Sequence, residues 1–588
     1  MINNTNRTSQ FLAYLPYRLF FLIMFLFFGL FADHIFFYQE KSSLFVFSYD
    51  FLVENLHQPG GLLIYLSGFL STFYYYPLAG ALISSLVIWL ITVTASGIIK
   101  TLEGKKSGYI PLLAGIALFY LQTSYRFMLY NNLGILVQLL FFLLTIKYIR
   151  GWGPVILSPV LYFITGGFAW IFCIMYSLWL LSKRQLKWWL KITLLWLLIF
   201  LIVYLSEQFL FFQTIGTLLL FPCTEAGTGS QSRLFAAVVI VLALLPLLAR
   251  ISIRNTFKKK LSENIIYLSV PIVVVLIMVI ISILKYDKKT QQYFRVEKLF
   301  YENKYREVID FNLKNPSNNS LTAYLNNIAL CETGQLNDLL FHFPQSADGS
   351  TLFLKWEITG EILKIGGYFY YTIGMINEAH RWAYEYMVMK GATPEGLKMI
   401  IKTELINGNF KTAEKYISIL KKTLFYRHAA KEYEKLLFND PAVDSHPVLG
   451  PGRKNKIPVD FFSITDDPYI NVERIIATDS LNRKAFEYKL AYLLLNKDYQ
   501  GISKEWGNIG RYDFKSIPVH VEEAAIAIKI LYAVSLPPAG NLATDKNAEI
   551  RFNRFLQVFQ AYGTDLKAAE PELKKQFGNT FWYWSFYR

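Results

Sequence analysis

Nine apolar runs crowd into the first 286 residues, near 17–37, 74–99, 109–122, 132–147, 154–165, 168–182, 188–206, 233–249 and 264–286. No other feature limits the fold so strongly. A bilayer core of about 30 Å takes about 20 helical residues to cross, and a spanning backbone must satisfy its own hydrogen bonds, so runs of this kind predict membrane-spanning helices. Two of the runs, on either side of Gly166-Gly167, are short for that task. The first run has a long apolar core, and "FFGLFADHIFF" offers no small-x-small cleavage site, so it reads as an anchor that stays.

Charge supports the same division. Of the 588 residues 54% are hydrophobic and only 17% charged, against roughly 25% in an ordinary soluble domain. Residues 1–286 carry 20 Lys+Arg and 8 Asp+Glu (+12), leaving 39 and 35 (+4) of the chain's 59 and 43 for residues 287–588. The basic excess is spread over short loops between apolar runs, a pattern that excludes a nucleic-acid stripe. Sixteen of the 20 basic residues fall around Arg7 and Arg18 and in 100–106, 147–150, 183–191 and 249–260; the opposite loops hold only Lys41, Arg126 and Arg233. This asymmetry predicts a cytoplasmic N-terminus, nine crossings and an exported C-terminal half in a bacterial inner membrane. Cys173 falls within a span, whereas Cys223 and Cys331 fall on the exported side, where a disulfide between them is compatible with the topology.

The exported half reads as helix after helix. In "CETGQLNDLL", "YTIGMINEAHRWA" and "INGNFKTAEKYISIL", Gly334, Gly374 and Gly408 are each followed five residues later by Leu339, Ala379 or Ala413, opening a second amphipathic run. The glycine ends one helix and the small or apolar residue lets the next pack against it. The expected fold class is therefore all-α: a polytopic helical membrane domain over 1–286, then an exoplasmic α-solenoid. Its helical repeats would cover 287–437 and 461–588, separated by a Pro/Gly-rich break at 438–460. Four prolines and two glycines in that break argue for a loop lying across the helices or a hinge. The chain closes on the aromatic tail "FWYWSFYR", which calls for docking on the helices or at the membrane interface.

Soluble-enzyme signatures are missing: there is no Walker loop, G-x-S-x-G, H-E-x-x-H or C-x-x-C. Against that background Asp50, Glu54 and His57 stand out in an acid-poor half. Their i, i+4, i+7 spacing puts them within about 60° of one another on a helix. Two functional classes are open. Asp50 acts as catalytic base, with Glu54 and His57 beside it or as ligands of a divalent ion; or the helix shows a polar face at the membrane surface for structural reasons alone.

The order of first span, acid-bearing exoplasmic loop, short helix and apolar-aromatic re-entry resembles the polytopic GT-C glycosyltransferases. That resemblance implies sugar transfer from a polyprenyl-phosphate donor, with Asp50 as base or acceptor-positioning acid. "YFITGGFAWIF" (162–172) is similar to the paired short helices with an exoplasmic Thr-x-Gly found there, which brings in Thr165. "QTSYRFMLYNN" (122–132) offers Arg126, Asn131 and Asn132 where a second acid is expected; Arg126 suits a lipid-linked phosphate. The first loop also lacks an adjacent acidic pair. Gly374/Ala379 and Gly408/Ala413 sit where tetratricopeptide repeats place their turn Gly and packing Ala, and the repeat's aromatic-Leu-Gly opening is absent. The alternative to an enzyme is a membrane-anchored scaffold whose periplasmic solenoid binds a protein partner. The whole chain also resembles a family of uncharacterised bacterial inner-membrane proteins bearing a domain of unknown function.

Overall fold

A computed structural model of the protein describes residues 2–103, 109–183, 187–211, 213–223, 229–249, 263–357, 360–464, 466–563 and 565–588. Every regular element among them is helical. They form two compact units, residues 1–287 with 422–425, and residues 288–421 with 426–588. Parts of the basic segments, residues 104–106, 184–186 and 250–260, lie outside the described residues.

The first unit comprises α1 (Ile2–Leu30), α2 (Asp33–Lys41), α3 (Tyr49–Leu56), α4 (Gly61–Thr72), α5 (Pro77–Glu103), α6 (Ile110–Gln122), α7 (Leu129–Lys147), α8 (Gly153–Thr165), α9 (Ala169–Lys183), α10 (Trp188–Phe209), α11 (Ile215–Leu220), α12 (Ser230–Ala243), α13 (Leu245–Leu248) and α14 (Glu263–Lys285). α5 is the centre, packed by α1, α2, α6 and α7, and over half of its apolar window is buried; α10 lies outermost with 22% buried. Proline at the first position of α5 starts the helix at no hydrogen-bonding cost, since that N–H has no intrahelical partner in any case.

The expectation of nine spans is corrected. Four helices are long and apolar enough to cross a bilayer: Pro77–Leu102, Leu129–Lys147, Gly153–Lys183 and Trp188–Phe209. Tyr14–Leu30 with Asp33–Lys41, bent by 67°, and Ser269–Lys285 with the helix after it bring the number to six. Length is the reason for the difference. α6 has 13 residues and α12 has 14, each rising roughly 20 Å against a core of about 30 Å. The runs at 154–165 and 168–182 form one 31-residue helical stretch broken at Gly166. With several helices of spanning length and apolarity, the protein is a membrane protein.

Gly166 is where the first unit is tied together. Its φ of +60° and ψ of −137° belong to a region only glycine occupies comfortably. Three segments distant in sequence meet there: Gly60 N–H donates to Phe163 O at 3.1 Å, and Gly167 N–H donates to Phe221 O at 2.7 Å. Tyr162 OH and Trp170 Nε1 donate to Leu218 O and Leu219 O.

The second unit runs α15 (Lys288–Tyr301), α16 (Tyr305–Lys314), α17 (Ser320–Glu332), α18 (Leu336–Leu339), α19 (Gly360–Ile373), α20 (Ile376–Lys390), α21 (Pro394–Asn407), α22 (Phe410–Lys421), α23 (Arg427–Glu434), α24 (Asp440–Ser445), α25 (Leu449–Lys454), α26 (Pro468–Thr478), α27 (Arg483–Leu495), α28 (Tyr499–Trp506), α29 (Val519–Leu531), α30 (Lys546–Ala561), α31 (Leu566–Phe577) and α32 (Phe581–Tyr587). From α19 to α23 each helix packs on the next. Gly374 and Gly408 make their turns at φ +92° and +76°, and Ala379 and Ala413 are fully buried one turn into the following helix. After the 438–460 segment the chain doubles back, so that α27 packs on α17, α18 and α19. Lys484 pairs with Glu332 at 2.7 Å, and Asn482 donates to Ile373 O at 3.0 Å.

The Pro/Gly-rich segment holds two short helices and lies across helix ends: the Arg453 guanidinium caps the carbonyls of Leu405 and Ile406 at the end of α21. The aromatic tail docks as α32. Trp582 Nε1 donates to Glu523 O and Trp584 Nε1 to Leu495 O. All three cysteines are free thiols.

Candidate functional site

α3 forms because Ser48 caps it, its Oγ accepting from Phe51 N–H at 3.2 Å. The helix ends at Leu56, with His57 as C-cap and its Nδ1 2.7 Å from Val53 O. Asp50, Glu54 and His57 are all exposed, and α3 has no buried residue. No ion pair among the described residues involves any of the three, and no group of three His, Cys, Asp or Glu residues among them is placed to hold a metal ion.

The proposed substrate-binding residues divide. Arg126 is exposed, its guanidinium 5.5 Å from the Tyr125 ring centre. Asn131 and Thr165 are fully buried. Thr165 Oγ1 donates to Leu161 O at 2.6 Å and accepts from Gln138 Nε2 at 2.8 Å, while Asn131 Nδ2 donates to Met128 O. Among the described residues no hydrogen bond or ion pair joins these two to Asp50 or Arg126. A separate set of buried carboxamides links three helices: Asn132 Nδ2 donates to Gln122 Oε1 at 2.7 Å, and Gln39 and Gln122 both donate to Phe127 O. Such bonds hold α2, α6 and α7 together where hydrophobic contrast between helices is weak.

In the second unit, polar side chains of the alternate helices α17, α19, α21 and α23 share electrostatic neighbours. α21 starts at Pro394 behind Thr393, whose Oγ1 accepts from Gly396 N–H. Glu395, Lys398 and Lys402 recur along it at a spacing that keeps them on one side. Lys398 Nζ lies 2.9 Å from Glu395 Oε1 and 4.8 Å from the Tyr426 ring centre. Lys402 is half-buried and has no hydrogen bond or ion pair among the described residues. Burial holds its amine below the usual lysine range; Glu395 pulls it back, Lys398 adds to the depression and Glu332 opposes it.

Tyr371 of α19 and Tyr433 of α23 are phenols raised by burial, and His446 is lowered by burial and then by Lys402. Tyr371 OH is buried without a partner and lies within electrostatic reach of Glu332, Tyr433 and Tyr305. Glu395 also borders a small pocket of about 20 Å³ between α19, α20 and α21, walled by Lys364, Tyr368, Trp382, Tyr386 and Met399. Three consecutive helices build this pocket, and neither Lys402 nor Tyr371 lines it.

A family model described as "Family of unknown function (DUF6057)" matches residues 8–588. The chain belongs to this family. No curated protein and no solved structure matches the sequence. In this DUF6057 chain the family match takes in both units.

Proposed function

We propose that the protein is a membrane-anchored binding protein. The first unit holds it in the bacterial inner membrane, and the second, a tetratricopeptide-like array on the periplasmic side, takes a protein partner in the groove led by α17, α19, α21 and α23. The observation that carries this reading is a set of polar side chains on the alternate helices α19, α21 and α23, Tyr371, Lys402 and Tyr433, of which Lys402 and the Tyr371 phenol have no partner among the described residues. Partner-free buried polar groups cost free energy and favour whatever satisfies them. Orientation rests on the basic asymmetry, which favours a cytoplasmic N-terminus. The test is site-directed photo-crosslinking in cells. A photoreactive residue at Tyr433 should give one adduct of defined mass, and one at Ile550 on α30 should give none; the same bands from both sites, or no band at all, would defeat the reading.

A second reading keeps the glycosyltransferase class, in which Asp50 acts on the acceptor of a polyprenyl-phosphate-linked sugar and Arg126 meets the phosphate. What favours it is the exposure of Asp50, Glu54 and His57 together on one short helix. Asp50→Asn would then abolish transfer of lipid-linked sugar in membrane vesicles at unchanged protein level, and full transfer by that variant would remove Asp50 from the chemistry.

A further inference from the structure

We propose that His342 and His520 form an acid-operated latch on the C-terminal aromatic tail: protonation of the two imidazoles, over roughly pH 7 to 5, frees α32 from the rest of the second unit. The inference goes beyond the binding-protein reading and needs neither the groove nor Asp50.

The latch is a chain of contacts. His520, on α29, is buried, and its Nε2 accepts from Phe341 N–H at 3.4 Å. A backbone N–H can only donate, so the proton of the neutral ring sits on Nδ1, 2.9 Å from Glu523 Oε2. That same oxygen accepts Phe581 N–H, the first of α32, at 2.8 Å. His342 follows Phe341 directly, and its Nε2 accepts from Asn579 Nδ2 at 2.9 Å, two residues before α32 begins. The Phe341 ring joins the two: its centre lies 4.9 Å from that of His520, 6.0 Å from Phe581 and 5.4 Å from Trp584. Each imidazole thus supports the tail through a nitrogen that must stay unprotonated.

Acid reverses both ties. A proton on His520 Nε2 would face the Phe341 N–H, which cannot turn away, and one on His342 Nε2 would face the Asn579 amide donor. The ring centres are 5.9 Å apart, so two imidazolium charges repel. Burial and then His520 hold His342 below the usual histidine value of 6.5, with Glu523 opposing. The folded chain therefore binds that proton less tightly than the unfolded one, and the stability involved is present above about pH 6.5 and lost as pH falls. Other acids on the elements packed against α29 are engaged elsewhere. Asp338 accepts from Val519 N–H, Glu487 pairs with Arg483, Glu505 with Lys489, Asp545 with Arg551 and Glu549 with Lys529. The phenols of Tyr499 and Tyr583 are raised by burial and stay neutral throughout.

The experiment follows amide hydrogen exchange by mass spectrometry on the full chain in lipid nanodiscs, at about pH 7.5, 6.5 and 5.5, with rates corrected for the intrinsic pH dependence of exchange. Protection of residues 578–588 should fall roughly tenfold toward the acid end and return on neutralisation. Helix α16, which carries no histidine, should not change. His342→Gln combined with His520→Gln keeps an acceptor in each place without a titrating nitrogen, so its tail should stay protected across the range. Glu487 works in the opposite direction, favouring the folded unit in acid, and so cannot mimic the loss. Tail protection that is constant with pH, that falls together with α16, or that falls as far in the double variant overturns the proposal; where that variant does not accumulate, the comparison of tail with α16 in the parent decides alone.

Discussion

Gly166→Ala should be among the most damaging single-methyl changes in the first unit. A Cβ at Gly166 would sit 2.4 Å from Phe221 O and 3.1 Å from Pro59 O, where real Cβ contacts essentially never fall below 3.0 Å. The main chain at Phe221 must therefore retreat by at least about 0.6 Å (3.0 less 2.4), which pulls on the 2.7 Å bond from Gly167 N–H to the same oxygen. Holding alanine at φ +60°, ψ −137° costs of order 1–3 kcal/mol. Weakening a buried hydrogen bond adds about 1 kcal/mol, giving a total on the order of 2–4 kcal/mol. Gly216→Ala is the control: open space surrounds that position, and alanine suits a helix, so its stability should stay within about 1 kcal/mol of the parent. Thermal unfolding of the purified protein in detergent compares the two. Equal midpoints for both variants would show that the three-segment junction does not bear on stability, and the packing argument would fail.

Trp582→Ala empties a fully buried site and leaves Glu523 O without its donor, so about 3–5 kcal/mol of second-unit stability should go; limited proteolysis should release the C-terminal tail first, and an unchanged cleavage pattern would contradict its docking. Lys364 sits between Glu297 (2.6 Å) and Glu361 (2.8 Å) at 8% side-chain exposure. Lys364→Met strands a buried carboxylate and should cost about 3–5 kcal/mol, with much of the loss recovered by adding Glu297→Gln; a double variant no better than the single would refute the pairing argument. Glu487 is pushed up to about 7 from 4.5, chiefly by burial, with Arg483 opposing. The folded carboxyl holds its proton more tightly than the unfolded one, so stability falls as pH rises from about 4.5 through 7, by on the order of 3 kcal/mol. Glu487→Gln should flatten that slope in urea titrations run across this range, and an unchanged slope would assign it to other groups.

What the sequence made legible was local. Helix α3 and its polar face follow from the Ser48 cap and the i, i+4, i+7 spacing, and the turns at Gly374 and Gly408 follow from a glycine and a small residue five positions on. α5 follows from a long apolar run behind Pro77. The number of spans was misjudged because apolar composition does not show where a helix stops, as in α6 and α12. Gly166 offered only a doublet, and its role needs Gly60 and Phe221, segments brought to it by the fold. The groove was hidden for the same reason: Lys402, Tyr371 and Tyr433 come from three helices, and a lysine on an amphipathic helix normally reads as solvated surface.

The claim that the groove is a partner's seat is tested most directly by lysine footprinting of the full chain, first in native membranes and then after purification. The account predicts that Lys398 and Lys402 are shielded in the membrane and gain reactivity once the protein is purified, while exposed Lys546 and Lys567 react equally in both. Equal reactivity of the two groove lysines before and after purification would contradict it.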